Sequence, residues 1–376
     1  MTLAMHEADG LLGATKPTSA HPVFNDQPMK LGIFSSNCSG GMIMSDAPTG
    51  FRVTWDQQLQ IARTADELGM EAIVPVGRWT GFRGNTNFNG VCFETYTWAA
   101  GIAQATENIG VFTTTHVPTV HPIVGAKMAT TIDHISNGRF GMNLVMGWFG
   151  PEMELFGQKQ REHDERYAYG QEWLDFAEEL WTRYGDFDHD GTFFQAKNAH
   201  AYPKPVQTPR PVLLNAGASP AGIDFSARNV DVNLIASPLE EMPGYVNNIK
   251  SIANDKYERN VDVWTYCLVI CRETEKEARA AHQAIIDAGD WPGAQIIMDV
   301  LGIESASFGT QIKQFQERFI AGWGGPNLIG TPEQFHELNE AGMAGAIFGF
   351  LDYAKELEEF GQEVLPLMQK GGLRHA

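Results

Sequence analysis

Residues 109–146 read IGVFTTTHVPTVHPIVGAKMATTIDHISNGRFGMNLVM, and this stretch decides the fold. Ile109–Thr115 is short and rich in β-branched residues, which predicts a strand. Pro122 suits the first turn of a helix, where its missing N–H costs nothing, and Asn137-Gly138 supplies residues that close one. Phe140–Met146 is again a short apolar strand. Strand, helix and strand in immediate succession form a βαβ unit, and such units build parallel sheets.

The same alternation extends both ways. Upstream, Met29–Phe34 and Glu71–Val76 read as strands. Between them Thr54-Trp-Asp-Gln57 fits a capping box that opens a helix to Leu68, with Leu59, Ala62 and Ala65 on one face and Gly69 as its stop. A second helix spans Glu94–Thr106. Downstream, a helix over Glu165–Thr182 places Trp173, Phe176, Ala177, Leu180 and Trp181 at helical spacing. Gly185–Pro209 reads as an excursion with a small hairpin. Pro211–Asn215, Val230–Ile235, Val263–Ile270 and Gly345–Phe350 give four more strands, and Thr331-Pro332-Glu333-Gln334 opens the helix before the last.

Eight strands alternating with helices fit a (β/α)8 TIM barrel or an open doubly wound sheet. No G-x-G-x-x-G follows the first strand, which favours the barrel. The expected organisation is one α/β domain over residues 29–376 with insertion segments. Residues 1–28 are expected to be an arm, flexible or held at a subunit interface; they lack the basic start and apolar centre of a signal peptide. Residues 287–330 are too long for an ordinary connection and carry Gly322, Gly324, Gly325 and Pro326, which suggests a lid.

Composition narrows the function classes. Lys and Arg number 27 against 46 Asp and Glu, a net charge of −19 that argues against a nucleic-acid partner. No apolar run reaches membrane-span length. Cys38, Cys92, Cys267 and Cys271 have neither a C-x-x-C pair nor zinc spacing and read as four thiols suited to a reducing cytoplasm. Asp186–Gly191 lacks the spacing of a calcium loop and reads as a turn, so no metal is expected. The absence of G-x-S-x-G and H-E-x-x-H points to a borrowed cofactor.

In a barrel, chemistry belongs at the C-terminal ends of the strands. The residues there are Ser35–Gly41, Gly77–Phe82, Thr113–His116, Asn143 with Gly147–Glu152, and Asn215–Ser219. Each has a plainer reading. The threonines suit any strand, Asn143 could serve backbone groups, His116 could be a loop residue, and His163 and Asp164 could cap a helix. Gly217 could serve only a turn, or with Ser219 it could hold a phosphate. Trp79, Phe82, Phe112, Trp148 and Phe149 form either a substrate wall or mouth packing.

Ala129–Phe140 followed by Asn143-Leu-Val-Met-Gly147-Trp148, then His163-Asp-Glu-Arg166-Tyr167, Gly217-Ala-Ser219, Asn327–Pro332 and Phe360–Leu367, resembles the bacterial-luciferase-like flavin monooxygenases. The resemblance covers about residues 29–370 and rests on the order and spacing of the motifs. Within the group the chain is most similar to the dimethylsulfone, alkanesulfonate and pyrimidine-ring-opening enzymes, and Ser39-Gly-Gly41 and His163–Tyr167 are similar to the sulfone enzymes. Arg78 with Gly81-Phe82, and Trp148 with Pro151-Glu152, are similar to the pyrimidine-ring-opening enzymes.

This resemblance implies FMN, reduced in trans by an NAD(P)H-dependent flavin reductase that docks transiently or supplies it by diffusion. It also implies O2 as co-substrate, a small-molecule substrate and a cytoplasmic homodimer or homotetramer. Gly77 and Arg78 would form a flavin-contacting turn, with Asn143 and Glu152 also on the flavin. Arg166, Tyr167, Gly217 and Ser219 would hold its tail and phosphate. Thr114 and Asn143 would be the catalytic pair bordering the oxygen site, and Trp79, Phe82, His116 and Trp148 would line the substrate pocket. Two departures bear on the substrate. The region between the fifth and sixth strands offers few arginines beyond Arg228, and Cys92 does not fall where the alkanesulfonate enzymes carry a cysteine, a place taken by Trp79 or Thr80. A neutral sulfone or an N-heterocyclic or aromatic ring is therefore expected rather than a sulfonate. The rivals are a deazaflavin-dependent hydride-transfer enzyme on the same fold and a non-catalytic flavin-binding protein.

Overall fold

A computed structural model describes residues 15–302, 309–330 and 333–375. Its strands are β1 (Lys16–Pro17), β2 (Lys30–Phe34), β3 (Ala72–Val74), β4 (Gly110–His116), β5 (Phe140–Val145), β6 (Phe187–Asp190), β7 (Gln195–Ala199), β8 (Gln207–Thr208), β9 (Val212–Asn215), β10 (Val232–Ile235), β11 (Asp262–Ile270), β12 (Asn327–Ile329) and β13 (Gly345–Gly349). Eight of them close a parallel barrel in the order β2, β3, β4, β5, β9, β10, β11, β13, with β13 returning to β2. These are the eight strands expected from the apolar runs, and the barrel reading over the open sheet is correct.

The helices that matter below are α1 (Trp55–Glu67), α2 (Thr95–Ala105), α3 (Pro122–Ile135), α4 (Gly150–Leu155), α5 (His163–Thr182), α6 (Pro220–Asn229), α7 (Met242–Tyr257), α8 (Glu275–Asp287), α9 (Trp291–Val300) and α10 (Gly309–Ile320). Thr54 caps α1 through its hydroxyl, and Pro122 stands at the start of α3. Among the described residues no helix is long and apolar enough to cross a membrane.

Alternation along each strand divides the core. On β2, Leu31 and Ile33 face the helices, while Phe34 joins the barrel interior with Val74, Phe112, Leu214, Leu234, Trp264 and Ile347. Large and small residues interlock there. A Cβ on Gly141 would fall 2.1 Å from Phe112 Cε1, so the ring occupies the space that the glycine leaves.

The expected arm is, from Thr15 onward, part of this barrel. β1 pairs with β8, Val23 is fully buried beneath the strands, and the His21 ring meets Phe112 edge-on at 5.5 Å. Burial of these two side chains plugs the floor and ties the segment from Thr15 onward to the barrel. Residues 1–14 lie outside the described residues, as does the Thr331-Pro332 helix start.

Three other expectations change. Asp186–Gly191 is mostly the first strand of the β6–β7 hairpin rather than a turn. Residues 287–330 are not only loop: α9 and α10 stand over the β2 exit, where Met44 N donates to Ile320 O at 2.8 Å, and β12 lengthens the sheet beside β11. The four cysteines are not four thiols. Cys38 and Cys92 form a disulfide, leaving Cys267 buried and Cys271 half-buried. The bond joins the loops after β2 and β3, and such pairing across the fold leaves no short-range spacing to read.

Candidate active site

The C-terminal ends of β3, β4 and β5 bring two expected residues together over the Pro75 carbonyl. Thr114 Oγ1 donates to Pro75 O at 2.5 Å, so its lone pairs remain for Asn143 Nδ2, which donates to it at 3.1 Å. Thr114 and Asn143 are opposed in register on β4 and β5. That bond fixes the amide: Asn143 Oδ1 is turned away from Thr114 and is buried without a partner. An unpaired buried acceptor is costly, so its presence marks a place for a donor.

Beside this pair lies a buried charge cluster. Glu152, on α4, accepts Trp79 N at 2.8 Å on Oε1. Its Oε2 stands 3.2 Å from Arg78 Nη1 and 3.5 Å from His116 Nδ1. Both carboxylate oxygens therefore hold the Gly77–Trp79 turn, one through the Trp79 backbone and the other through the Arg78 guanidinium. The guanidinium lies 4.5 Å from the Phe82 centroid, 5.4 Å from those of Trp148 and Phe149, and 5.8 Å from Trp323. Its Nε and Nη1 make no hydrogen bond. Burial lowers the Arg78 pKa, and Glu152 partly restores it. Burial also pulls His116 down to about 4, against the attraction of Glu152 and with the help of Arg78, so the imidazole is neutral at pH 7.

The expected substrate wall is only partly assembled. Trp148 stacks on Phe82 at 6.1 Å, but Phe82 is fully buried among Phe88, Phe149 and Trp323. Trp79 is 47% exposed and leans edge-on against Phe156 at the rim. Phe112 does not belong to the mouth. It faces inward like Thr114, but two residues earlier on the strand places it roughly 7 Å deeper, against His21.

Across the mouth, β9 leads into the turn before α6. Ser219 caps that helix by accepting Gly222 N at 3.2 Å, and Gly217 N donates to Asn215 Oδ1 at 2.8 Å. Burial raises the Tyr167 phenol pKa, and the neighbouring Ser219 hydroxyl partly offsets this. A Cβ on Gly217 would lie 2.7 Å from Tyr167 Oη, so only glycine admits the phenol this close. Arg166 Nη1 donates to Gly147 O at 3.3 Å, while its Nε is buried without a partner. His163 and Asp164 are the first residues of α5 rather than its caps; Glu162 takes the cap position without a side-chain bond.

Several contributors were missed. Asn37 clamps the backbone before Gly77 in both directions, accepting Val76 N and donating to Val76 O, each at 2.8 Å. Trp323 enters from the insertion. Lys159 and Arg161 line a cavity with Arg166, Pro118, Met146, Gly147, Met153 and Tyr169, so the mouth carries more cationic character than the count around Arg228 suggested. Arg228 itself lies in the last turn of α6. The run Lys159-Gln-Arg161 before α5 was the available signal.

The closed parallel barrel thus gathers at its strand ends a helix-capping turn at Gly217–Ser219 and, across the mouth, a buried amide oxygen without a partner. Residues 29–345 match the family described as luciferase-like monooxygenase. The chain is 32% identical over 362 residues to a pyrimidine monooxygenase of Bradyrhizobium sp., covering 92% of this chain and 99% of that one. It is 30% identical over 368 residues to an FMNH(2)-dependent dimethylsulfone monooxygenase of Pseudomonas putida, covering 92% and 96%. Among solved structures, a riboflavin lyase with modified FMN and riboflavin superposes with a TM-score of 0.82 at 18% identity, over 92% of both chains. DmoA from Hyphomicrobium sulfonivorans gives 0.79 at 17%, over 92% and 89%. The chain belongs to the luciferase-like monooxygenase family.

Proposed function

We propose that this protein is a two-component monooxygenase that uses reduced FMN and O2 to oxygenate or cleave a small organic molecule. The carrying observation is Asn143 Oδ1, buried, unpartnered and held beside Thr114 at the centre of the mouth. A reduced flavin ring carries N–H donors that suit this acceptor. The opposite turn suits a phosphate: Ser219 and Tyr167 supply hydroxyls, Arg166 charge, and Gly217 the close approach. When bound, the reduced flavin supplies the electrons that activate oxygen for transfer to the substrate.

The chain's own residues arrange and protect that chemistry. Thr114 fixes the Asn143 amide, Asn37 and Glu152 fix the Gly77–Trp79 turn, and α9 and α10 cover one side of the mouth against water. The neutral His116 adds no charge. The half-buried rings of Trp148 and Trp323, with Phe82 packed behind them, support a neutral sulfone or ring substrate. The cavity at Lys159 and Arg161 favours, as the second reading, a substrate with an anionic group. This reading includes a separate NAD(P)H-dependent reductase as the source of reduced flavin, a cytoplasmic location and a homodimer or homotetramer.

The test supplies a generic flavin reductase, NADH and 18O2 to a panel of sulfones, sulfonates and N-heterocycles, with reduced deazaflavin in a parallel arm. Labelled product with reduced FMN is expected; turnover with deazaflavin alone would replace the reading by hydride transfer. Asn143→Ala should lower product formation at least about a hundredfold while the thermal midpoint stays within a few degrees. Unchanged coupled turnover in that variant refutes the assignment.

A further inference from the structure

The turn between β9 and α6 is held from beneath by three side chains. Asn215 Oδ1 accepts Gly217 N at 2.8 Å and Ser226 Oγ at 3.0 Å, while its Nδ2 donates to Leu144 O at 2.6 Å. Asn233, on β10, donates from Nδ2 to Asn215 O at 3.1 Å and to Ser226 Oγ at 2.9 Å. Both are strand residues that bind the turn's root. The third arrives from elsewhere: Tyr245, on α7, brings Oη to 3.0 Å from Gly217 O and 3.0 Å from Asn233 Oδ1. Both partners are acceptors, so the phenol must keep its proton and share it between them. Burial raises its pKa, consistent with that state.

The consequence follows from peptide geometry. In a trans peptide the C=O and the following N–H point in opposite directions from one plane. Pinning Gly217 O inward, toward Tyr245, turns the Ala218 N–H outward. Neither Ala218 N nor Ser219 N bonds any group among the described residues, and Ala218 is exposed. Without Tyr245, Gly217 O would keep only the 3.5 Å approach of Asn233 Nδ2, and a glycine-flanked peptide is free to rotate.

We propose that Tyr245 is the positioning residue that orients the Gly217–Ala218 peptide toward the flavin phosphate and thereby sets a preference for FMN over riboflavin. This rests on the proposed seat of the phosphate at Gly217–Ser219. Tyr245 acts through the turn and not on the ring or the reacting atoms.

The experiment measures dissociation constants of FMN and riboflavin, by flavin fluorescence, for the unaltered protein, Tyr245→Phe and Ser219→Ala. The expected result is a preference for FMN that falls about tenfold in Tyr245→Phe, with riboflavin affinity unchanged. Unchanged riboflavin binding also certifies that the variant folds. A Tyr245→Phe protein that keeps the full preference overturns the proposal. So does one that weakens for both flavins equally, because that is a packing role. If the unaltered protein shows no preference, or if Ser219→Ala leaves it intact, the phosphate seat itself is wrong and the proposal falls with it.

Discussion

His21 and His116 stand at opposite ends of one barrel interior, and both are kept neutral by burial. For His21, desolvation pulls the pKa to about 3 against the Arg139 carbonyl and Asp231, with Arg139 acting in the same direction as burial; for His116 it falls to about 4. A folded-state pKa below the unfolded value near 6.5 means that the unfolded chain binds more protons in between. Stability from these groups is therefore complete above pH 6.5 and is lost as the pH falls toward 4 and then 3, by about 1.4 kcal/mol per unit for each group. Denaturant midpoints measured from pH 7 to 4 should show a shallower loss in His116→Gln than in the unaltered protein. Parallel curves would mean that His116 is accessible to protons in the native state. At this scale Thr114 and Asn143 were paired through the family resemblance, and the structure adds that adjacent strands deliver them to one level. Tyr245 was not legible: it lies on a helix with no motif, and its role depends on a fold that brings α7 beside the β9 turn.

Elements were read best where apolar runs were short and bounded. The eight barrel strands follow from that pattern, whereas the hairpin was legible only through the Gly and Pro content of 185–209 and its first strand read as a turn. The insertion was read by its length and glycines alone, although Asp290-Trp-Pro is a helix start: Asp290 caps α9 by accepting Gly293 N at 2.9 Å, with proline in the first turn. The same carboxylate reaches across to the β3 loop, where Oδ2 accepts Thr86 N at 2.7 Å and Thr86 Oγ1 at 2.8 Å. One side chain thus latches the insertion to the segment that carries Phe82 and Phe88. Asp290→Ala should cost about 1–2 kcal/mol through the lost cap. It should also lower the product formed per reduced flavin consumed, as water gains access. A variant with unchanged coupling would show that the latch serves stability alone.

For the whole molecule, closure depends on a clasp at the floor. Arg374 Nη1 lies 2.8 and 2.7 Å from the two oxygens of Glu71, and Nη2 donates to Gly69 O at 2.7 Å. Asn25 Nδ2 and Leu31 N donate to the same carboxylate, so one buried acid gathers the entry segment, two barrel strands and the chain's end. Removing one partner of a buried ion pair strands the other charge. Arg374→Ala should therefore cost about 3–5 kcal/mol in chemical denaturation, with little effect on flavin affinity. A loss below about 1 kcal/mol would show that water replaces the guanidinium. The barrel was legible because it repeats a local unit. The clasp was not, since Glu71 and Arg374 are 303 residues apart and neither carries a local signature.

The clasp also bears on engineering. On the proposed two-component reading, a reductase tethered beyond His375 would start at the floor, while reduced flavin is needed at the opposite face. A flexible tether of about 50 residues has a typical reach on the order of 40 Å, enough to begin wrapping the barrel wall, whereas a short one would hold the two catalysts back to back. Joining the partners through the β6–β7 hairpin, on the flank of α5, would avoid pulling on Arg374.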